Sequence, residues 1–280
     1  MRGSRLSVWR RESGNAFARF VDTLGGRFIV SEDVGTDIHD LECIAQETDH
    51  VAGLPLALGG SGDPSIITGL GVVSAMKSCA TAVWGSDKLG GRTVALQGFG
   101  KVATHAAEEL LKEGANLVVA DINSETVERA KTLGATIVSP DEIYSVSCDI
   151  FSPCALGGVL NSQTIPRIRA KVVAGGANNQ LLSPSDGDAL HQRGILYAPD
   201  FVASAGGCIA LHHEVYGDYR QELIPDLAHR VGGIMDRVIC RSRSQQIPTY
   251  LAAESIAEER MKSVRQLKPI YRRNGDNSSK

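Results

Sequence analysis

Residues 93–103 read Thr93-Val94-Ala95-Leu96-Gln97-Gly98-Phe99-Gly100-Lys101-Val102-Ala103. A short apolar run, Thr93 to Gln97, has the composition of a buried strand. Val102 to Lys112 then carries helical spacing. Between them lies G-x-G-x-x-A, in which each small residue has a physical task. Gly98 permits the tight turn off the strand, Gly100 lets the backbone approach a pyrophosphate, and Ala103 lets the helix pack close to the sheet. Unbonded N–H groups and the macrodipole at the helix N-terminus favour an anion there. Asp121 closes the next apolar run, Asn116 to Ala120, at the spacing of a carboxylate that binds adenosine ribose hydroxyls. The plain alternative is a tight turn with Asp121 as a helix N-cap. Context favours a Rossmann unit, with Phe99, Lys101, Val102 and Ile122 completing the expected cofactor contacts. Lys101 is expected near phosphate. Asp121 would repel a 2′-phosphate, and neither Ile122 nor Asn123 is an arginine, so the expected cofactor is NAD and not NADP.

Outward from this stretch, strand and helix patterns alternate. Strands are expected at Thr136 to Val138, Asp149 to Phe151, Lys171 to Ala174 and Ile195 to Tyr197, with a helix from Glu125 to Leu133. Apolar strands alternating with helices predict an α/β fold, a doubly wound parallel sheet covered on both faces. Ala45 to Pro64 is rich in Gly and Pro and reads as a hinge, and long helices are expected at Arg220 to Cys240 and Thr249 to Lys268. We therefore expect a first part over 1–56, an NAD-binding domain over 57–250, and a carboxy-terminal helix over 251–280 that ends in a polar tail, Asn274 to Lys280.

Composition bounds the partners. The chain has 280 residues and a net charge of −3, so neither nucleic acid nor an anionic membrane is expected. No apolar run reads as long enough to span a bilayer. The basic start, Met1 to Arg11, has no apolar core. Cys43, Cys79, Cys148, Cys154, Cys208 and Cys240 contain no C-x-x-C pair, as for reduced thiols in a cytoplasmic protein. His191, His212 and His213 lack a metal-ligand spacing, and no metal is expected.

Further motifs carry a resemblance. They are Ser31-Glu32-Asp33-Val34-Gly35-Thr36, Gly59-Gly60-Ser61-Gly62-Asp63-Pro64, Pro153-Cys154-Ala155-Leu156-Gly157-Gly158, Gly175-Gly176-Ala177-Asn178-Asn179-Gln180 and Tyr197-Ala198-Pro199-Asp200-Phe201. In order and spacing the chain resembles the leucine, phenylalanine and valine dehydrogenases from about Phe17 to Lys262. The resemblance implies NAD-dependent oxidative deamination of an L-amino acid to a 2-oxo acid, ammonia and NADH. It makes Asp33 the acid/base group, whose plain alternative is a turn residue before Gly35. It places Thr68 at the nicotinamide carboxamide, Asn178 and Asn179 beside the nicotinamide, and Ala155 near its ribose. The bland alternatives are an N-cap for Thr68 and turn residues for the asparagines. Ser31, Cys208 and Leu211 would line the side-chain pocket, which suits an aliphatic or branched-chain substrate.

The chain also departs from that pattern. Relatives carry a Gly-Gly-Gly-Lys segment whose lysines act as base and hold the substrate carboxylate, whereas no lysine precedes Lys77 here, and Lys77 reads as a surface residue. Ser204 stands where relatives have asparagine, and a serine has no amide fork. The expectation is a truncated amino-terminal substrate domain that leaves apolar surface uncovered and deaminates poorly. A catalytically inert NAD-binding partner protein is the competing expectation. The resemblance makes 1–56 a remnant of the substrate and oligomerisation domain, to which the helix over 251–280 returns, and implies a homo-oligomer where that domain is complete.

Overall fold

The computed structural model describes residues 14–33, 36–217 and 219–267. The basic start, Val34 and Gly35 of the E-D-V-G-T motif, and the polar tail lie outside the described residues.

Strands β1 (Thr93–Gln97), β2 (Asn116–Ala120), β3 (Thr136–Ile137), β4 (Ile150–Pro153), β5 (Val172–Val173) and β6 (Leu196–Tyr197) form a six-stranded sheet in the order β3-β2-β1-β4-β5-β6. Every pairing is parallel, with Gln97 opposite Ala120 on one side and Pro153 on the other. Side chains alternate between two buried faces. Val94, Leu96, Val119, Ile150 and Val172 join one apolar cluster, while Ala95, Phe151, Val173 and Tyr197 join the other. Burial on both faces explains why the strands read as continuous apolar runs. The strand order reverses between β1 and β4, which makes the carboxyl edge there the place where open α/β sheets bind ligands.

Helix α1 covers residues 14–22 and α2 covers Ile38–Ile44. They are followed by α3 (Ser65–Trp84), α4 (Lys101–Lys112), α5 (Ser124–Thr132), α6 (Pro184–Gln192), α7 (Asp200–Ala203), α8 (Gly206–Val215), α9 (Ile224–Gln245) and α10 (Thr249–Leu267). The α3 helix corrects one expectation, because it is long and apolar enough to cross a membrane by length and composition. Its glycines and serines disguise the run. They are packing devices: a Cβ at Gly69 would fall 2.8 Å from both His105 Cβ and the Val102 carbonyl oxygen of α4. Val72, Val73 and Met76 of α3 and Val231, Met235 and Val238 of α9 share one core cluster.

The α10 helix packs against α9, α6 and β6. Thr249 Oγ1 donates to the Tyr197 carbonyl at 2.5 Å, and Arg241 of α9 pairs with Glu259 at 2.7 Å. The α8 helix meets the amino-terminal part. Its Glu214 carboxylate accepts the backbone N–H groups of Gly53 at 2.9 Å and Ser61 at 3.0 Å.

The amino-terminal part has its own small core of Ala18, Val21, Val30, Leu41 and Ile44. Asp37 starts α2 with a reciprocal capping box, accepting from His39 and Asp40 N–H groups while Asp40 accepts from Asp37 N–H. Phe17, Phe20 and Phe28 are 44%, 62% and 48% exposed, so this part carries uncovered aromatic surface.

Candidate active site

Gly98 leaves β1 with φ +91°, and its N–H donates to the Ala120 carbonyl at 2.8 Å. A Cβ there would lie 2.7 Å from Ala155 Cβ, so the position needs glycine for its conformation and for close approach of the β4 loop. The next residue is held by charge: Phe99 N–H donates to Asp121 Oδ2 at 2.7 Å, and Asn123 N–H donates to Oδ1 at 2.8 Å. Arg129 Nη2 reaches the Phe99 carbonyl at 2.9 Å. Asn123, not Asp121, caps α5, accepting from Glu125 N–H at 2.9 Å. The N-cap alternative for Asp121 is thereby removed.

The α4 helix begins after Gly100 with no side-chain cap, and a Cβ on Gly100 would meet nothing within 4 Å. Unbonded N–H groups under open space are what a pyrophosphate requires. Ile122, beside the turn, is 93% exposed, an apolar surface on the side where an adenosine would lie. The residues present therefore fit a dinucleotide.

Loops after β4, β5 and β6 close the other side. Cys154 N–H donates to the Gln97 carbonyl at 2.7 Å, placing Ala155 against Gly98. Asn179 has φ +53°, and its N–H donates to Asp200 Oδ2 at 2.5 Å. Asp200 Oδ1 accepts the Tyr197 hydroxyl at 3.1 Å, whose pKa is raised, first by burial. Gln180, fully buried, donates its amide to the carbonyls of Gly175 and Ala177, both at 2.9 Å. Ser204 Oγ donates to the Asp200 carbonyl at 2.7 Å and lies 3.5 Å from Asn178 Oδ1, so two predicted site residues meet. Thr68 lies within α3, not at its N-cap. Its hydroxyl donates to the Pro64 carbonyl at 2.9 Å.

In the amino-terminal part Asp33 is exposed, at a hollow of about 400 Å³ lined within residues 14–44, by Phe17, Phe28, Val30, Ser31 and Leu41 among others. Thr36 ties the motif: its hydroxyl accepts the Asp33 N–H at 2.9 Å and donates to the Asp33 carbonyl at 2.8 Å. Ser31 and Leu211 converge on Gly53, whose missing Cβ would lie 3.2 Å from Ser31 Oγ and 3.4 Å from Leu211 Cδ2. Ser31 Oγ is buried with no hydrogen-bond partner among the described residues. Cys208, on α8, is exposed.

Comparison with known proteins now bears on this cleft. The family model for Glutamate/Leucine/Phenylalanine/Valine dehydrogenase matches residues 59–127 and 119–268. The chain is 47% identical to the leucine dehydrogenase of Geobacillus stearothermophilus over 261 residues, 93% of this chain and 71% of that protein. It is 46% identical to the leucine dehydrogenase of Bacillus subtilis over 94% of this chain and 72% of that protein. Among solved structures, the L-tryptophan dehydrogenase of Nostoc punctiforme superposes with a TM-score of 0.78 at 38% identity, covering 91% of this chain and 74% of that one. The chain belongs to the Glu/Leu/Phe/Val dehydrogenase family.

Within this amino-acid dehydrogenase frame, two groups were missed by sequence reasoning. Asp200 sits in a quoted motif, but nothing local shows that it carries the Asn179 amide. Glu214 carries no motif signal at all. Lys101, expected near phosphate, has its Nζ 2.6 Å from Glu32 Oε1 and 3.7 Å from Asp63 Oδ2. The hydrogen bond to Glu32 is the main cause of a raised Lys101 pKa. For Asp63, burial pushes the carboxyl up, but hydrogen bonds from Ser65 and the charges of Lys101 and His105 leave it below the ordinary range. Lys77, expected at the surface, is partly buried and forms an ion pair with Glu113. Among the described residues no group of three or more His, Cys, Asp or Glu side chains is arranged to hold a metal.

Proposed function

We propose that this chain binds NAD at the β1–α4 turn and catalyses NAD-dependent oxidative deamination of a branched-chain or aliphatic L-amino acid. The observation that carries the reading is the Asp121–Phe99 closure beside an uncapped α4 N-terminus, at the strand-order reversal. Gly98 to Ala103 would hold the pyrophosphate, Asp121 and Ile122 the adenosine, and Thr68, Ala155, Asn178 and Asn179 the nicotinamide half. When bound, the nicotinamide supplies a hydride acceptor for the substrate Cα. The chain's own residues orient the reactants and manage protons: Asp33 takes up or returns a proton at the substrate nitrogen, and Asn178 and Ser204 border the substrate. In this reading 1–56 is the substrate part and 57–250 the nucleotide part.

Ser31, Cys208 and Leu211 are uncharged, and an unpaired buried carboxylate costs several kcal/mol. Aliphatic side chains should therefore be preferred to acidic ones. Fluorescence titration should show NADH binding more tightly than NADPH, and NADH production with leucine or valine should exceed that with glutamate. Equal affinity for the two nucleotides would remove Asp121 as the discriminator, and faster glutamate turnover would remove the pocket assignment.

A second reading, NAD binding without useful turnover, is favoured by the lysines. Lys77 is paired with Glu113 and Lys101 with Glu32. NADH binding without activity on leucine, valine or phenylalanine would select it.

A further inference from the structure

Lys101 is the first residue of α4, so its backbone belongs to the proposed pyrophosphate cradle while its side chain leaves that cradle. The ammonium crosses to Glu32 at 2.6 Å and lies 3.7 Å from Asp63. Glu32 adjoins Asp33, and its side chain is only 14% exposed. One cation thus ties the nucleotide turn to the segment bearing the expected acid/base group.

We propose that Lys101 is a dinucleotide-responsive latch, a positioning residue that the pyrophosphate draws away from Glu32 and so couples cofactor occupancy to the setting of Asp33. This inference rests on the dinucleotide reading above. The physical case is a competition between anions. In the structure two carboxylates, Glu32 and Asp63, share one ammonium. A pyrophosphate on the α4 N-terminus adds negative charge beside the Lys101 backbone, and the flexible lysine stem lets its ammonium turn toward either partner. Withdrawal leaves the mostly buried Glu32 carboxylate unpaired, a costly state that segment 31–33 relieves by shifting toward solvent. The latch therefore works against cofactor binding, and removing its acid partner should make binding tighter.

The test is an NADH fluorescence titration of the full chain, E32Q, K101M and the E32Q/K101M double variant. With Lys101 present, E32Q should tighten NADH binding by roughly three- to fivefold, the scale of a partly exposed ion pair. In the K101M background the same change should have no effect. An E32Q affinity equal to wild type, or the same gain in both backgrounds, overturns the latch while leaving the dinucleotide reading intact. No NADH binding by the wild-type chain overturns both. Hydrogen exchange on the wild-type chain provides an arm that needs no variant. Added NADH should speed exchange over residues 27–41, and unchanged or slower exchange there contradicts the latch.

Discussion

The Asp121 carboxylate accepts the Phe99 backbone N–H at 2.7 Å, joining the end of β2 to the turn that leaves β1. One oxygen thus fixes the glycine turn, and in the proposed function the same carboxylate meets a ribose. Asp121→Asn removes the charge from this hydrogen bond. Charge-assisted hydrogen bonds contribute about 1.5–3 kcal/mol, so NADH affinity should fall by roughly tenfold or more. The NADPH:NADH affinity ratio should rise at the same time. Titration with both nucleotides checks this, and an unchanged ratio would separate Asp121 from coenzyme choice.

Gly98→Ala should damage the turn directly. The new methyl would sit 2.7 Å from Ala155 Cβ on a backbone with φ +91°. Strained backbone of this kind costs on the order of 1–3 kcal/mol. A lowered Tm with loss of NADH binding is expected. A variant with wild-type Tm and affinity would mean that the β4 loop yields freely.

Asp33→Asn should act on turnover. Losing a general acid/base group costs about 100-fold or more, while NADH affinity should stay within about twofold because Asp33 lies outside the nucleotide turn. Comparing kcat with the NADH Kd separates the two effects, and unaltered kcat would reduce Asp33 to a turn residue.

Ser204→Asn should improve substrate holding. The serine hydroxyl is committed to the Asp200 carbonyl at 2.7 Å, whereas an asparagine supplies a longer amide fork. One added hydrogen bond contributes about 0.5–1.5 kcal/mol, which corresponds to a KM for the amino acid roughly two- to tenfold lower at unchanged NADH affinity. A KM that rises or stays level would argue that Ser204 does not touch substrate.

The parallel sheet and its glycine turn were legible in the sequence because their signals are local. Apolar strands, the glycine turn and Asp121 announce themselves within a few residues, and the long helices expected near 220–240 and 249–268 appear at Ile224–Gln245 and Thr249–Leu267. The amino-terminal part was legible only in part, because its geometry depends on long-range contacts. Glu214 meets Gly53 across 161 residues of chain, and Lys101 meets Glu32 across 69. No periodicity or spacing encodes such pairs. The α3 helix, with Thr68 as its possible N-cap in the sequence, already begins at Ser65, and the packing partners His105 and Val231 explain its Gly69 and Gly71. The direction taken by the Lys101 side chain was likewise invisible, since the motif specifies the backbone there and leaves the side chain to its charged neighbours.

The central claim is that this cleft holds NAD against an aliphatic amino acid. The most direct measurement titrates the purified 280-residue chain with NADH and then follows NADH formation from NAD with L-leucine, L-valine and L-glutamate in parallel. The account expects saturable NADH binding that Asp121→Asn weakens, and whatever turnover appears to be fastest with leucine or valine. Absence of NADH binding by the folded chain, or turnover led by glutamate, would contradict it.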